Sequence, residues 1–518
     1  MTDNAPTRVI FGEQALSIEA ICDIAKQSTK LALSNSDEFK AKINKGSAFL
    51  DQLLKEDGVI YGVTTGYGDS CTVAIPANLV EQLPHQLTRF HGCGLGNYFS
   101  PQETRAIIAT RLSSLSCGMS GVSPELLHQL VALLQHDILP LIPEEGSVGA
   151  SGDLTPLSYL AAALIGEREV LYKGQKTSAA TALKKSGLSP LTLRPKEGLA
   201  LMNGTAVMTA IACLNWQQAE QLSKLATRVT AMVTVAMQGN FFHFDEDLHA
   251  VKPHPGQMRC AARLRDDLNS NHPPRNSDRL QDRYSLRCAP HVIGVLEDSL
   301  TWCRSLIEIE LNSANDNPII DGEKQRVLHG GHFYGGHIAM AMDTLKTAVA
   351  NVADLLDRQL AQLCDYKFNN GLPYNLSGAR DERSAINHGF KAVQIGVSAW
   401  TAEALKNTMP ASVFSRSTES HNQDKVSMGT IASRDCRRVI ELSEQVAIAS
   451  LYAAVQGIDL RIQQQQLSLD SLSPALRSSY DQVRTLFPRL EEDRPLEHEL
   501  RQGLAAIRSQ QWELYPCQ

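Results

Sequence analysis

Apolar residues and chain breakers are arranged differently in the two parts of this sequence. Up to about residue 195, Pro and Gly interrupt the apolar positions every few residues, which predicts short elements. Ser100–Glu103 has the pattern of a capping box with Pro at the first helical position, so a helix is predicted to begin there. Another helix is predicted to begin after Ser123, and Val170–Lys176 is the best candidate for a β-hairpin. That second helix has an apolar stripe formed by Leu126, Leu127, Leu130, Val131 and Leu134.

Long segments without chain breakers follow residue 195. Thr205–Gln238 contains neither Gly nor Pro, and as one helix it would extend about 50 Å at ~1.5 Å per residue. Many positions in these segments are apolar on several faces, which predicts burial in a large bundle or a subunit interface. We therefore predict a change of organisation near residue 195, with one domain over 1–195 and a second, long-helix domain over 196–518. The other long runs, interrupted only by isolated glycines, cover Pro290–Asn312, His337–Asp365, Ser384–Thr408 and Thr430–Gln456.

Composition and charge argue against several classes of partner. Hydrophobic residues make up 43% of the 518 residues and charged residues 20%, as in ordinary globular proteins. The net charge of −7 and the pI of about 6.1 argue against nucleic acid or an anionic membrane, because both need a basic surface. No apolar run approaches the ~18 residues of a membrane span, and the N-terminus lacks the basic and apolar regions of a signal peptide.

The cysteines and histidines add two expectations. The 11 cysteines are scattered singly without a C-x-x-C pair, which favours reduced thiols and a cytoplasmic location. His329, His332 and His337 come nearest to a metal-binding pattern, but they lack the i, i+4 pair and the nearby acid of zinc motifs. We therefore predict no metal site.

One glycine-rich segment contains the most unusual chemistry of the chain. Its tripeptide Ala150-Ser151-Gly152 is flanked by glycine, so the backbone can bend where other residues could not. If the Gly152 nitrogen attacks the Ala150 carbonyl and two waters are lost, the tripeptide becomes a five-membered imidazolone with a methylidene from Ser151. Such a group is an electrophile that ordinary side chains cannot supply.

Two other interpretations of this segment are simpler. It can be a glycine-rich turn before a helix, with Thr155 as N-cap and Pro156 at the first helical position. A serine-hydrolase nucleophile elbow is excluded, because Gly149–Asp153 lacks the second Gly of G-x-S-x-G.

Six short motifs extend the comparison to most of the chain. In their order and spacing they resemble the aromatic amino acid and histidine ammonia-lyases, whose electrophile is a 4-methylidene-imidazol-5-one (MIO) formed from the tripeptide. The resemblance implies an all-α long-helix bundle of the ammonia-lyase (aspartase-like) type, with a smaller MIO-bearing domain over 1–195. It also implies a homotetramer whose active sites combine residues of three subunits. The motifs are Tyr-Gly-x-x-Thr-Gly at Tyr61, Gly-Ala-Ser-Gly-Asp-Leu at Gly149, Asn-Gly-Thr at Asn203, Tyr-Ser-Leu-Arg-Cys at Tyr284, Asn-Asp-Asn-Pro at Asn315 and Asn-Gln-Asp at Asn422.

Elimination of ammonia from an α-amino acid needs three groups, and the motifs offer candidates. The amino group needs an electrophile, the β-proton needs a base, and the carboxylate needs a clamp. Tyr61 is the candidate base, which requires its pKa to fall from about 10; the alternative is an exposed tyrosine on a flexible loop. Arg287 is the candidate clamp, because a guanidinium binds a carboxylate bidentately; the alternative is a structural ion pair.

The remaining candidates surround this centre. Asn203 is predicted to orient the cyclised group or the carboxylate, unless it is only a left-handed turn residue before Gly204. Phe333 is predicted to pack on that group, unless it is a core aromatic residue. Tyr284 and Gln281 are predicted to polarise the ring or hold the amine. The full set is Tyr61, Ala150, Ser151, Gly152, Asn203 and Tyr284 for catalysis, and Phe90, His91, Leu154, Gln281, Arg287, Phe333 and Gln423 for substrate binding.

Two positions bear on the identity of the amino acid. Members of the family that act on histidine carry a Glu in the late loop that pairs with the imidazole, and this chain has neutral Gln423 at that position. Phe90-His91 matches the pair that contacts the substrate ring. A His there resembles tyrosine enzymes, in which it hydrogen-bonds the phenol. We therefore predict conversion of L-tyrosine to 4-coumarate and ammonia, with the pocket residues closest to those of bacterial tyrosine ammonia-lyases.

Three alternatives stay open. A histidine ammonia-lyase, which forms urocanate, is one, since some of these enzymes also carry His at the position of His91. An aromatic 2,3-aminomutase is another, although Thr64–Gly66 resembles the lyases more than the Asn-Thr-Ser of aminomutases. The third is a non-catalytic helical paralogue, which would have no use for Tyr61, Ser151 and Arg287 together.

Overall fold

The computed structural model describes residues 8–56, 58–269, 276, 279–512 and 514–515. Met1–Pro6, which were considered for a signal peptide, and Cys517 lie outside the described residues. The structure is 60% helical with few strands, which confirms the predicted all-α class.

The described residues form 18 α-helices. They are α1 (Ile18–Ala25), α2 (Asp37–Lys55), α3 (Leu83–Phe90), α4 (Pro101–Ser116), α5 (Pro124–Gln135), α6 (Leu154–Leu164), α7 (Ala179–Lys185), α8 (Glu197–Met202), α9 (Ala206–Ala236), α10 (Glu246–Ala250), α11 (Pro255–Asp267), α12 (Tyr284–Arg287), α13 (Ala289–Leu311), α14 (Gly336–Cys364), α15 (Lys391–Lys406), α16 (Gly429–Gln463), α17 (Pro474–Leu486) and α18 (Glu497–Arg508).

Short strands form four small sheets in the described part of the chain. The strands are β1 (Arg8–Phe11), β2 (Lys30–Leu33), β3 (Leu95–Tyr98), β4 (Ile138–Pro140), β5 (Pro143–Glu145), β6 (Glu169–Tyr172), β7 (Gln175–Ser178), β8 (Ile319–Asp321) and β9 (Arg326–Leu328). A parallel pair joins β1 and β2, antiparallel pairs join β3 with β5 and β8 with β9, and β4, β6 and β7 form a three-stranded antiparallel sheet. The predicted hairpin is confirmed, with Tyr172 paired to Gln175.

The described residues divide into two compact units, each built from three stretches of chain. The first unit gathers the described residues of 1–217, 304–343 and 410–434, and the second gathers those of 218–303, 344–409 and 435–518. The nine strands of the described residues all lie in the first unit. The predicted division into 1–195 and 196–518 stays a prediction, because these units group residues by contact rather than by one cut in the sequence.

Most of the predicted helices are confirmed. The capping box is present, with Ser100 Oγ accepting from the Glu103 N–H and the Glu103 carboxylate accepting from the Ser100 N–H. Ser123 caps α5. The runs predicted to begin at Thr205, Pro290 and His337 form α9, α13 and α14, and the run from Thr430 forms α16, which continues to Gln463.

The helix predicted from Ser384 is wrong at its start. The helix α15 begins only at Lys391, because Gly389 has a φ of +53°, outside the helical range. The Asp493 carboxylate fixes this turn by accepting from the N–H of His388 at 2.7 Å and of Gly389 at 2.8 Å.

The helix after the tripeptide also begins earlier than predicted. It starts at Leu154, and Asp153 rather than Thr155 occupies the N-cap position, without a side-chain cap bond. The Asp153 carboxylate instead accepts from two N–H groups in the first turn of α9, at 2.9 and 3.0 Å. A buried carboxylate at a helix N-terminus meets the partial positive charge there, so Asp153 ties the tripeptide segment to α9.

The segment that carries Tyr61 is anchored by its apolar neighbours. The residues on either side of it, Ile60 and Val63, are each 1% exposed. They extend a hydrophobic cluster of the first unit, so the backbone around Tyr61 is held although its loop is rich in glycine. The cluster consists of Phe49, Leu50, Ile60, Val63 and Ile320.

Three further features limit the chemistry of the described residues. No helix among them is long and apolar enough to cross a membrane. No group of three or more His, Cys, Asp or Glu among them is arranged to hold a metal ion. The ten cysteines that the structure describes form no disulfide bond with one another.

Candidate active site

A cavity of about 870 Å³ opens in the first unit. Its walls come from loops and helix ends that are far apart in the sequence. Gly152 is buried next to the lining residues Ala150 and Ser151. The predicted site residues that line the cavity are Tyr61, Phe90, His91, Ala150, Ser151, Leu154, Asn203, Phe333 and Gln423.

The tripeptide lies in the cavity wall between two left-handed glycines. Gly149 has a φ of +68° and Gly152 a φ of +70°, which favour glycine at both positions. The Ser151 carbonyl oxygen accepts from Asn203 Nδ2 at 2.8 Å and from the Gly204 N–H at 3.2 Å. Asn203 itself is extended, with φ −87° and ψ 117°, so the left-handed alternative for this residue is wrong.

The contact between Gly152 and Gly204 is too close for side chains. A Cβ on Gly152 would lie 2.1 Å from the Gly204 carbonyl oxygen. That oxygen accepts from the Asp153 N–H at 2.8 Å. The Gly152 N–H itself donates to no backbone carbonyl among the described residues. A bent tripeptide with a free Gly152 nitrogen and a doubly held Ser151 carbonyl fits the group that the sequence implies.

Asp153 closes the tripeptide segment with a buried network. Its carboxylate has no solvent exposure and accepts from Ser147 Oγ at 3.2 Å and from Thr430 Oγ1. Burial raises the pKa of Asp153 to about 6, although these hydrogen bonds oppose the shift. The network holds the end of the tripeptide against the starts of α9 and α16.

Tyr61 points its hydroxyl toward its own loop. Tyr61 Oη accepts from the Gly68 N–H at 2.8 Å, across a turn in which Gly68 has a φ of +58°. Burial raises the pKa of Tyr61, the Gly68 bond lowers it, and the nearby Glu419 carboxylate raises it further. The lowered pKa expected for a base is therefore wrong for this single chain, because burial removes water that would stabilise the phenolate.

Glu419 is a cavity residue that the sequence did not reveal. Both of its carboxylate oxygens accept from the Asp69 N–H at 3.0 Å. A Cβ on Gly68 would lie 2.3 Å from the carboxylate. Glu419 thus holds the loop of Tyr61 from the loop that carries Gln423. No motif marked it, because its partner lies 350 residues away.

The loop of Gln423 is a tight turn. Thr418 and Gln423 pair across it, and Thr418 Oγ1 donates to Gln423 Oε1 at 2.9 Å. The amide of Gln423 is thereby oriented, and its Nε2 donates to Ser151 Oγ at 3.4 Å. Leu87, Leu199 and Lys425 also line the cavity, and no motif marked them. Asn317 and Asp424 lie in two of the six motifs, and Tyr67 and His329 also line the cavity, but no role in the site was predicted for any of these four.

His91 lies where α3 ends, with its ring nitrogens in different environments. Its Nδ1 is 3.0 Å from the Leu87 carbonyl oxygen, which accepts from a protonated Nδ1. Burial lowers the pKa of His91. A neutral ring with its proton on Nδ1 leaves Nε2 as an acceptor. Phe90 packs on it with ring centroids 4.3 Å apart, although Phe90 remains 59% exposed.

Three predicted site residues lie in the second unit and do not line the cavity. Gln281 is exposed, and Tyr284 is 71% exposed. The Arg287 guanidinium lies 4.6 Å from the Tyr284 ring centroid, and its buried Nε has no hydrogen-bond partner among the residues that the structure describes. Ser285 fixes this short helix, α12, because its carbonyl oxygen accepts from Gln359 at 2.9 Å.

Comparison with known proteins places this fold. The model of the aromatic amino acid lyase family matches residues 16–485. The chain is 36% identical over 496 residues to the histidine ammonia-lyase of Alkaliphilus oremlandii, covering 95% of each chain. The tyrosine aminomutase structure from Streptomyces globisporus has a TM-score of 0.89 and 34% identity, over 98% of this chain and 97% of that one. The histidine ammonia-lyase structure from Trypanosoma cruzi has a TM-score of 0.87 and 30% identity, over 97% of this chain and 94% of that one.

The long-helix fold and these similarities define a carbon–nitrogen lyase. The chain belongs to the aromatic amino acid lyase family, which includes the histidine ammonia-lyases it resembles.

Proposed function

We propose that this lyase eliminates ammonia from an aromatic L-amino acid, with L-tyrosine preferred. The reaction breaks the Cα–N bond and one Cβ–H bond of L-tyrosine and yields 4-coumarate and ammonium. The observation that carries the proposal is one cavity lined by Ser151, Tyr61, His91 and Gln423. Leu154, Phe333 and the exposed ring of Phe90 supply apolar surface for the substrate.

Ala150-Ser151-Gly152 is the proposed source of the MIO group. When formed, this group would supply an electrophile for the substrate amino group. Asn203 and Gly204 would hold its carbonyl, because they already donate to the Ser151 oxygen. Gly152 leaves no side chain in the way, and Asp153 anchors the segment from beneath.

Tyr61 is the proposed base for the β-proton, and Arg287 the proposed carboxylate clamp. Burial raises the phenol pKa of Tyr61 in the single chain, so positive charge brought close to this residue would favour the loss of its proton. We propose that a neighbouring subunit of a homotetramer supplies Arg287, together with Tyr284 and Gln281. The exposure of Tyr284 and the unpartnered Nε of Arg287 support this assignment.

The phenol is the proposed ligand of His91. Because Nδ1 of a neutral His91 donates to the Leu87 oxygen, Nε2 accepts a hydrogen bond and selects a ring that donates one. The hydroxyl of tyrosine is such a donor, whereas phenylalanine would leave this buried acceptor unpaired.

A histidine ammonia-lyase is the second candidate, since relatives of that name are 34–38% identical to this chain. Neutral Gln423 argues against it, because an imidazolium substrate is better matched by a carboxylate than by an amide. The similarity to a tyrosine aminomutase keeps a 2,3-aminomutase as the third candidate.

The pocket assignment is tested by His91→Phe. Because the variant lacks the acceptor for the phenol, the ratio of kcat/KM for tyrosine to kcat/KM for phenylalanine is expected to fall by at least about tenfold, or ~1.4 kcal/mol. Initial rates with each amino acid, followed by absorbance of the conjugated acid, measure the ratio. Gln423→Glu is not expected to improve tyrosine turnover. His136→Phe is the control, because His136 is half-buried outside the cavity. An unchanged ratio in His91→Phe would contradict the assignment.

Shared active sites are tested by mixing two inactive variants. If Tyr61 and Arg287 reach one site from different subunits, random mixing of Tyr61→Phe and Arg287→Ala chains leaves about a quarter of the sites without either mutation. Differently tagged chains are co-expressed, purified through both tags and assayed with tyrosine. Recovered activity is expected in the mixed tetramers and not in either parent. Mixed tetramers without activity would mean that one chain builds each site.

A further inference from the structure

A fully buried arginine lies behind the Asn203–Gly204 segment. Arg111 lies in α4 and has no solvent exposure. Its Nη1 donates to the Asn203 carbonyl oxygen at 3.0 Å and to Asn315 Oδ1 at 3.2 Å, and its Nη2 donates to Ser114 Oγ at 3.0 Å. These acceptors are neutral. Burying a cation costs free energy that neutral acceptors offset only in part, so the location of Arg111 needs a reason.

The Asn203–Gly204 peptide connects Arg111 to Ser151. The oxygen of this peptide accepts from Arg111, and its nitrogen donates to the Ser151 carbonyl oxygen at 3.2 Å. A charged donor at the oxygen polarises the peptide and strengthens donation by its N–H, since hydrogen bonds in series reinforce one another. The Asn203 side chain donates to the same Ser151 oxygen at 2.8 Å.

The guanidinium also fixes the position of this peptide. Gly204 has a φ of +140°, and a Cβ there would lie 2.1 Å from Arg111 Nη1 and 2.5 Å from Asn315 Oδ1. On its other side, Gly204 is in close contact with Gly152. The Asn203–Gly204 peptide is therefore held between Arg111 and the tripeptide, and neither Gly204 nor Gly152 has room for a side chain.

We propose that Arg111 is a positioning residue for the self-processing of the tripeptide. It holds the Asn203–Gly204 peptide, and through it the Ser151 carbonyl, in the arrangement that ring closure requires. The proposal rests on the proposed function. Arg111 does not touch the reacting atoms. It fixes the Ser151 carbonyl, which lies between the Gly152 nitrogen and the Ser151 Cα, so the segment loses less conformational entropy when the ring closes.

The processing step needs no other reactant. The Gly152 nitrogen forms a bond to the Ala150 carbonyl carbon. The Ala150 oxygen leaves as water with protons from the Gly152 and Ser151 nitrogens, and a double bond forms between the Ala150 carbon and the Ser151 nitrogen. Ser151 Oγ leaves as a second water with its own proton and the Ser151 Cα proton, and a carbon–carbon double bond forms.

The experiment measures processing by intact mass in purified, full-length Arg111→Met and Arg111→Lys proteins. Arg111→Met removes all donors, and its fraction of chains that have lost two waters is expected to be at least about tenfold below that of the wild type. Arg111→Lys keeps the charge without the fork, so an intermediate fraction is expected.

Arg461 provides a matched control. It is also fully buried, and it donates to three carbonyl oxygens in the second unit, those of Ala236, Asn369 and Asn370. Arg461→Lys is expected to destabilise the protein comparably in thermal unfolding and to process normally. Slow processing in both arginine variants in proportion to their stability loss would assign Arg111 to general folding and overturn the proposal.

Other outcomes separate this proposal from the proposed function. If wild type has not lost two waters, the proposed function itself is wrong and Arg111 has no processing to assist. If wild type and both folded Arg111 variants are fully processed, only the role of Arg111 is wrong. If neither Arg111 variant folds while Arg461→Lys does, Arg111 is a structural residue and the proposal is again overturned.

Discussion

Ser151→Ala is expected to abolish elimination, with kcat reduced at least about a thousandfold, or ~4 kcal/mol in activation free energy. Alanine has no hydroxyl to leave as water, so no methylidene can form and the substrate amino group finds no electrophile. The fold should persist, because the backbone carbonyl of this residue makes the contacts to Asn203 and Gly204, while its half-buried side chain faces the cavity.

The measurement combines initial rates with tyrosine, intact mass and thermal unfolding. Ser186→Ala is the control, since Ser186 is half-buried in the same unit but outside the cavity. Normal turnover by Ser151→Ala would refute the mechanism. Loss of activity together with unfolding would show only a structural role for this serine.

Tyr61→Phe is expected to have the second largest effect, a fall in kcat of about a thousandfold with a small change in KM. The variant keeps the ring that packs in the cavity and removes only the hydroxyl that takes the proton, a role confined to the transition state. The base must be a phenolate, so kcat/KM of the wild type is expected to rise with pH as Tyr61 loses its proton. Burial raises the pKa of Tyr61 in the single chain, and the Arg287 proposed to come from a neighbouring subunit lowers it. That dependence should disappear in the variant.

Steady-state kinetics across a pH series measures both effects. Tyr159→Phe is the control, because this half-buried tyrosine also loses only a hydroxyl and lies outside the cavity. Near-normal kcat in Tyr61→Phe would place the base elsewhere and leave the electrophile unaffected.

The sequence predicted which loops line the cavity better than it predicted the electrostatics there. Tyr61, Ser151, Asn203 and Gln423 belong to short motifs on separate loops, and the structure brings all of them to one cavity. The sequence could not show that the pKa of Tyr61 is raised, because the shift depends on burial and on Glu419, which no motif marked.

The ends of helices were predicted correctly where their hydrogen bonds join residues that are close in the sequence. The capping box at Ser100 is present because its two hydrogen bonds involve only neighbouring residues. The start of α15 was missed because the distant Asp493 stabilises the turn at Gly389. The cap of α6 was missed because Asp153 binds the first turn of α9 instead of its own helix. Long-range contacts of this kind leave no local pattern in the sequence.

The most direct test of the central claim is a competition among three amino acids. Equal concentrations of L-tyrosine, L-phenylalanine and L-histidine are mixed with the purified wild-type enzyme, and products are separated and quantified at early times. The ratios of product give the ratios of kcat/KM without separate assays. We expect 4-coumarate to exceed cinnamate and urocanate and no β-tyrosine to form. The ammonium released should equal the sum of these three unsaturated acids. Urocanate as the main product, or β-tyrosine in place of 4-coumarate, would contradict the proposal of a tyrosine ammonia-lyase.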